Sequence, residues 1–269
     1  MSDQCYICLN QQSDENKFVD PNPCGCKGTI RMHITCFDEL TATTDKCGIC
    51  KKKFIINRLV TKYWPNGQKK SEVNYVNGLE HGLFQEWYEN GQKKAECNYV
   101  DGLEHGLIQT WHSNGQKLEV ANCVNGKMEG LYQRWYKDGQ KFIEEHYING
   151  KKNGLHQYWY FNGLKAEEVN YVNDKMEGFC QKWYESGQKL SEVNYVDGKM
   201  EGLYQSWYKN GHKSEEIIYV NGKFEGLYKS WYENGKKHTE LNYVNGEMEG
   251  LCQCWYEDGT KCPDIYYDN

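Results

Sequence analysis

The sequence predicts an all-β fold for most of the chain, built of tandem 24-residue β-hairpins and preceded by a small cysteine-rich domain. Three observations predict this division. Tryptophan recurs every 24 residues from Trp87 to Trp255, and two sets of glycines keep the same interval. Seven of the 13 cysteines lie before residue 51. We therefore expect a finger at 1–53, a short linker at 54–57 and a repeat array at 58–269.

Each 24-residue repeat is predicted to form one β-hairpin. The segment 131–136 is rich in aromatic residues and lacks helical spacing of apolar residues. In a strand, Tyr132 and Arg134 would face one side while Leu131 and Gln133 face the other. Asp138-Gly139 then supplies a turn, since Asp tolerates and Gly prefers positive φ. Each repeat therefore adds two antiparallel strands.

The repeat motifs W-Y-x-N-G, Y-V-N-G and E-G-L resemble those of MORN repeats, particularly the variant found in bacterial antitoxin-like proteins. The resemblance runs from about Arg58 to the C-terminus. It implies an elongated, twisted sheet with no second layer, so that aromatic side chains must cover one another within a face. On this interpretation most of the aromatic residues are the core of a scaffold.

The connections between repeats vary, and variation of this kind can tune the choice of partner. We expect an exposed, adaptable apolar stripe in these connections that contacts a protein substrate. Its members are Met128, Met176, Met200, Phe224 and Met248.

The N-terminal cysteines follow the pattern C-x2-C-x15-C-x-C-x6-H-x2-C-x10-C-x2-C. Eight thiolate and imidazole ligands in close pairs make two closed tetrahedral sites, which is typical of structural zinc. The sequence therefore predicts two Zn²⁺ ions. The alternative is a set of free thiols or a disulfide knot. The eight ligands are Cys5, Cys8, Cys24, Cys26, His33, Cys36, Cys47 and Cys50.

This ligand order, with Pro23-Cys24-Gly25-Cys26 and His33-Ile34-Thr35-Cys36, resembles the RING-CH finger of ubiquitin ligases. The PHD finger shares the order, but it usually has a longer third gap and an aromatic residue where this chain has Asp45. The RING-CH resemblance implies a small, cross-braced α+β finger. One zinc would be held by Cys5, Cys8, His33 and Cys36, and the other by Cys24, Cys26, Cys47 and Cys50.

By the same resemblance, the finger docks a ubiquitin-conjugating enzyme and positions its thioester without forming a covalent intermediate. Ile7, Leu40 and Lys51 match the docking positions of the family, although the family usually has Trp at the position of Leu40. Packing in a small core is the alternative role for Ile7 and Leu40. For Lys51, the alternative is a solvated side chain in a run of three lysines.

Composition and charge disfavour several other functions and locations. The net charge is −6, which disfavours nucleic acid and anionic membranes as partners. No apolar run approaches the length of about 18 residues that spans a bilayer. The N-terminus lacks a secretory signal, and the cysteine usage fits a reducing compartment, so we expect a cytoplasmic protein. The pairing of finger and repeats resembles repeat proteins of large DNA viruses of protists, which would imply the host cytoplasm.

The sequence therefore predicts a RING-type ubiquitin-protein ligase whose repeats recruit an unknown protein substrate. The first alternative is a non-enzymatic scaffold or adaptor in which the zinc finger is structural. A PHD-like reader of histone peptides is a further alternative.

Overall fold

The computed structural model describes residues 57–267 of the 269-residue chain. In this range the chain forms an open antiparallel sheet of 21 strands, and the described residues contain no helix. The predicted finger at 1–53, with its eight zinc ligands and the docking residues Ile7, Leu40 and Lys51, lies outside the described residues. For the described part, the predicted all-β array of hairpins is confirmed.

The strands are short, with lengths of two to nine residues. In chain order they are β1 Asn57–Tyr63, β2 Lys69–Val76, β3 Leu79–Trp87, β4 Lys93–Val100, β5 Leu103–Glu104, β6 Gly106–Trp111, β7 Lys117–Val124, β8 Lys127–Met128, β9 Gly130–Trp135, β10 Lys141–Ile148, β11 Lys151–Lys152, β12 Gly154–Trp159, β13 Lys165–Val172, β14 Lys175–Trp183, β15 Lys189–Val196, β16 Lys199–Trp207, β17 Lys213–Val220, β18 Lys223–Trp231, β19 Lys237–Val244, β20 Glu247–Cys254 and β21 Ile265–Tyr267.

Neighbours in sequence are neighbours in space throughout the sheet. Strand β3, for example, pairs with β2 before it and with β4 after it. In three repeats a one-residue interruption splits the first strand into a short and a longer piece, which gives the pairs β5/β6, β8/β9 and β11/β12. Because every pairing is local along the chain, each hairpin contacts only its two neighbours, as in other repeat arrays.

Two kinds of turn join the strands, and each explains one set of glycines. Within a hairpin, Gly139 has φ 91° and its N–H donates to the carbonyl of Tyr136 at 2.9 Å. Between hairpins, Asn149 and Gly150 have φ 52° and 80° and form a two-residue loop. Positive φ at both residues is the type I′ geometry, which matches the twist of the flanking strands.

The glycine of each E-G-L motif serves a bulge in the sheet. Glu168 pairs with Gln181 but Asn170 pairs with Glu177, so β14 carries two more residues than β13 between these pairs. Gly178 lies in the excess with φ 78°, and a Cβ there would meet nothing within 4 Å. Glycine is therefore needed for its backbone conformation and not for space. Because β14 gains two residues and not one, the side chains beyond the bulge stay on the same faces as those before it.

One face of the sheet, the inner face, holds the core. In each hairpin, one side chain of the second strand lies in this core and is at most 6% exposed. We call these side chains the buried row. The members recur every 24 residues and are Val73, Cys97, Ala121, Glu145, Val169, Val193, Ile217 and Leu241.

Larger side chains on the same face cover the buried row. Val169, Cys180 and Val193 form a cluster against which Tyr171, Met176, Tyr195, Met200 and Tyr204 pack. Aromatic rings from neighbouring strands meet edge to face, as Tyr204 and Tyr219 do with centroids 6.0 Å apart. A single layer can thus bury its own core, as the repeat resemblance implies.

Hydrogen bonds across one edge of the sheet tie each repeat to the next. The hydroxyl of Tyr88 donates to the carbonyl of Trp111 at 2.8 Å, and five further tyrosines repeat this bond. Where the tyrosine is replaced, the donor is kept: Trp64 Nε1 lies 3.1 Å from the carbonyl of Trp87, and His112 Nε2 lies 3.1 Å from that of Trp135.

Candidate interaction surface

The other face of the sheet, the outer face, carries a long row of exposed apolar side chains. They directly follow the bulge glycine of each repeat, and between 37% and 52% of each residue is exposed. Their cross-strand partners are mostly asparagines, which do not cover them. We call this set the leucine row; its members are Leu83, Leu107, Leu131, Leu155, Phe179, Leu203, Leu227 and Leu251.

A second apolar row runs beside the first on the outer face, near the edge formed by the turns between hairpins. These residues end the second strand of each hairpin, and six of them are 40–49% exposed. We call this set the valine row; its members are Val76, Val100, Val124, Ile148, Val172, Val196, Val220 and Val244. The two rows together bring apolar side chains to this part of the outer face, where the cross-strand partner of a valine-row residue is most often a lysine.

The other part of the outer face is charged but internally neutralised. Lys213 Nζ lies 2.6 Å from Glu216 Oε2, which also accepts a hydrogen bond from Gln205 at 3.0 Å. These bonds from Lys213 and Gln205 hold the pKa of the Glu216 carboxyl below its usual range, although burial acts in the opposite direction. The Lys213 ammonium also lies 5.7 Å from the centroid of Trp231.

This Lys–Glu pair recurs in most repeats, so the charges beside the leucine row cancel. Val120 interrupts the pattern, because it stands at the glutamate position of its repeat. The outer face is therefore an apolar stripe with a charge-balanced margin, and not a field of one sign.

The methionine stripe predicted from the sequence lies on the inner face. Met176 and Met200 are half-buried against the central cluster, and the ring of Phe224 lies between those of Tyr219 and Tyr243, with centroids 5.0 and 4.9 Å away. Met128 is also half-buried, whereas Met248 is 39% exposed. The stripe is less open than expected because each member stands opposite a residue of the inner face, most often a tyrosine.

At one junction between hairpins, charged and polar side chains take the place of the apolar core. Glu145 occupies the buried row and is 3% exposed, and His156, on the neighbouring strand β12, is 8% exposed. The Glu145 carboxylate accepts hydrogen bonds from Tyr147 and from Lys152, whose Nζ lies 2.9 Å away. His156 Nδ1 lies 2.9 Å from the same carboxylate. We call these four residues the polar cluster.

The contacts within the polar cluster favour the ionised carboxylate. Burial alone would raise the pKa of Glu145, but His156, Tyr147 and Lys152 together lower it to about 2. Burial and the adjacent carboxylate raise the pKa of the Tyr147 hydroxyl. At neutral pH the cluster therefore holds a buried carboxylate that depends on the Lys152 ammonium and on the polar groups of Tyr147 and His156.

The described part of the chain shows neither a metal-binding cluster nor a helix suited to crossing a membrane. Between residues 57 and 267, no group of three or more His, Cys, Asp or Glu side chains is placed to hold a metal ion. In that same range no helix has the length and apolar character needed to cross a membrane.

The leucine row and the polar cluster were both absent from the sequence prediction, although each leaves a trace in the sequence. Leucine or phenylalanine follows E-G, H-G or N-G in every repeat, at a position that shares its face with Gln and Trp and not with the tyrosines. Glu145 is the one charged residue in a column otherwise filled by Val, Cys, Ala, Ile and Leu.

Comparison with known families identifies the repeats. Six segments match the MORN repeat variant, at residues 59–77, 80–101, 128–149, 176–197, 200–221 and 224–245. No curated protein matched the chain. The two intervening segments keep the same pairing registers as the matched ones, including those of β6 with β7 and of β12 with β13. The six matched segments are therefore MORN repeats of the variant type, and the intervening segments continue the same hairpin pattern.

Proposed function

We propose that the repeat array is a protein-interaction module and that the N-terminal segment makes the chain a ubiquitin-protein ligase. The observation that carries the first part is the leucine row. Monomeric soluble proteins seldom expose a contiguous apolar patch above roughly 300–600 Å², and larger patches mark binding surfaces. The eight residues of the leucine row, each between 37% and 52% exposed, recur along one face and supply apolar surface of this kind.

Charge supports a protein partner over nucleic acid or an anionic membrane. The leucine row has no excess of lysine or arginine beside it, because the flanking lysines are paired with glutamates. The chain as a whole carries a net charge of −6. Binding to phosphates or lipid headgroups needs clustered, unpaired cations, whereas an apolar core with a balanced polar rim is the composition of a protein interface.

The ligase proposal is supported by the eight-residue ligand pattern and by its resemblance to RING-CH fingers. In this proposal the finger binds two zinc ions, and Ile7, Leu40 and Lys51 contact a ubiquitin-conjugating enzyme. The repeats hold the protein that receives ubiquitin. Since a RING finger acts by positioning its partner, no residue of this chain attacks the substrate. The proposed location is the cytoplasm.

An autoubiquitination assay tests this proposal. We expect zinc-loaded full-length protein to form ubiquitin conjugates with at least one member of a panel of conjugating enzymes. Ile7→Ala should slow the reaction by about tenfold or more, because apolar anchors dominate such contacts. Lys53→Ala, in the same lysine run but outside the docking set, should leave the rate unchanged. Failure to form conjugates with every enzyme of the panel would contradict ligase activity.

A non-enzymatic adaptor is the second candidate, and Leu40 is the observation that favours it. The RING-CH family usually has Trp at this docking position, so Leu40 removes contact area from the site. If Ile7→Ala leaves cellular function intact while deletion of the repeats abolishes it, the finger is a structural part of a scaffold.

A further inference from the structure

The leucine row is an exposed apolar row that no other strand of the described residues covers. Its side chains project from the face opposite the core, and all eight are more than one-third exposed. Six neighbours in the valine row extend the same surface. Together the two rows expose an area on the order of 1,000 Å² per chain, against about 800 Å² per partner in a standard protein interface.

The area is sufficient for a stable complex, and the charges beside it do not select an oppositely charged partner. Lys189 is paired with Glu192 and Lys237 with Glu240, each at 2.6 Å. At the other margin, Lys175 is paired with Asp197 at 2.6 Å, and Lys127, Lys199 and Lys223 of the same column are each followed two residues later by Glu129, Glu201 and Glu225. Both margins therefore carry charges of both signs, so two such surfaces can meet with opposite charges against each other.

The spacing of the row narrows the choice of partner further. One row member comes from every second strand, so successive members lie about 10 Å apart along the sheet. A partner that covers the whole row must present apolar groups at that same interval. A second copy of this chain does so by construction, and a two-fold contact would repeat the same pairing from one repeat to the next.

We propose that the leucine row is the contact surface between two copies of this chain, packed sheet on sheet. The inference rests on the proposed interaction role of the repeats and names their partner. The second copy supplies the layer that a single sheet lacks on its outer face, at the usual separation of about 10 Å. The inner face of each copy, with its own core, stays outside the contact.

The oligomeric state of the full-length, zinc-loaded protein tests this inference. We expect light scattering during size-exclusion chromatography to give twice the mass of one chain at micromolar concentration. The variant Leu131→Glu/Leu155→Glu should weaken self-association by about 100-fold, because it places two carboxylates in the centre of the apolar contact. A monomer at all micromolar concentrations would overturn the inference.

A matched control is available at the opposite edge of the outer face. Leu164 is 43% exposed, much like Leu131 at 42%, but it lies at a turn where most other repeats have Gln. Leu164→Glu should leave the mass doubled. A dimer that survives Leu131→Glu/Leu155→Glu, or that Leu164→Glu also dissociates, would place the contact elsewhere and overturn the inference.

Two further measurements distinguish weakened self-association from unfolding, and self-association from binding to other proteins. Circular dichroism checks that each variant retains its strands; if the glutamates unfold the sheet, Leu131→Gln/Leu155→Gln replaces them, with the same expectation of weakened association. Cross-linking of the leucine row to other proteins distinguishes this inference from the proposed function. A monomeric chain whose row still cross-links to other proteins would refute the second copy and leave the interaction role standing.

Discussion

Replacing Lys152 and His156, which both lie against the Glu145 carboxylate, in the variant Lys152→Met/His156→Tyr, is expected to destabilise the hairpins around β10 and β12 by about 3–5 kcal/mol. The carboxylate stays buried at 3% exposure, and Tyr147 alone remains to donate to it. An uncompensated buried charge is among the most costly single features in a protein. Amide hydrogen exchange in β10 and β12 measures the loss locally, without assuming that the array unfolds in one step.

The matched control adds Glu145→Val to the same two changes. This triple variant reproduces the set Val193, Tyr195, Met200 and Tyr204, which occupies the equivalent positions two repeats further on. We expect its stability to equal or exceed that of the natural protein by about 1–4 kcal/mol, because buried ion pairs seldom outweigh well-packed apolar residues. If the double variant is as stable as the triple variant, the polar cluster does not hold a buried charge.

The pH dependence of stability gives a second measure of the polar cluster. The folded pKa of Glu145, about 2, lies below the value of about 4.3 expected for an unfolded chain. Its contribution to stability is therefore present above about pH 4.3 and is lost as the pH falls toward 2. Exchange protection in β10 should decline over this window in the natural protein, and the triple variant should lack this part of the decline.

Removing zinc is expected to have the largest effect on the N-terminal segment. Structural zinc supplies an apparent 10–16 kcal/mol to small fingers, which seldom fold without it. Cys24→Ser, or a strong chelator, should abolish ubiquitin transfer and expose residues 1–53 to limited proteolysis. The β-strand signal in circular dichroism should persist, since the repeat array has its own core.

Zinc content provides the control for this prediction. Elemental analysis of the natural protein should give two zinc ions per chain, and Cys262→Ser, outside the finger, should leave both in place. Ubiquitin transfer that survives Cys24→Ser, or purified reduced protein without zinc, would contradict the proposed finger.

The periodic features were predictable from the sequence because each has a local cause. The turn at Asp138-Gly139 was predicted from residues that accept positive φ, and the structure has it, with the positive φ at Gly139. Strand β10 ends at Ile148, directly before the turn at Asn149-Gly150. A 24-residue period fixes the hairpin length, so an error in one repeat is corrected by the others.

The interaction surface was harder to predict because it depends on which face is covered. Alternation placed Leu131 and Tyr132 on opposite faces but did not say which face holds the core. The tyrosines and methionines pack over the buried row, so Met176 and Met200 are half-buried while Leu131 remains exposed. Pairwise contacts across strands decide this, and they are not visible in the period alone.

The polar cluster was missed for a related reason. Glu145, Lys152 and His156 lie on three different strands, and each is unremarkable as a surface residue in sequence. Only the pairing of the strands brings them together: β10 lies beside β12, and Tyr147 pairs with Lys152. Comparing each column of the repeat with its neighbours would have identified the charged set.

The most direct test of the interaction role is photo-cross-linking from the leucine row of the full-length chain in cells. A photoreactive phenylalanine analogue at position 155 is compared with the same analogue at position 164, which lies at the opposite edge of the outer face. We expect protein adducts from position 155 and few or none from position 164, with the adducted chains identified by mass spectrometry. The absence of protein adducts from position 155, or equal yields from both positions, would contradict the assignment of the leucine row as a protein-binding surface.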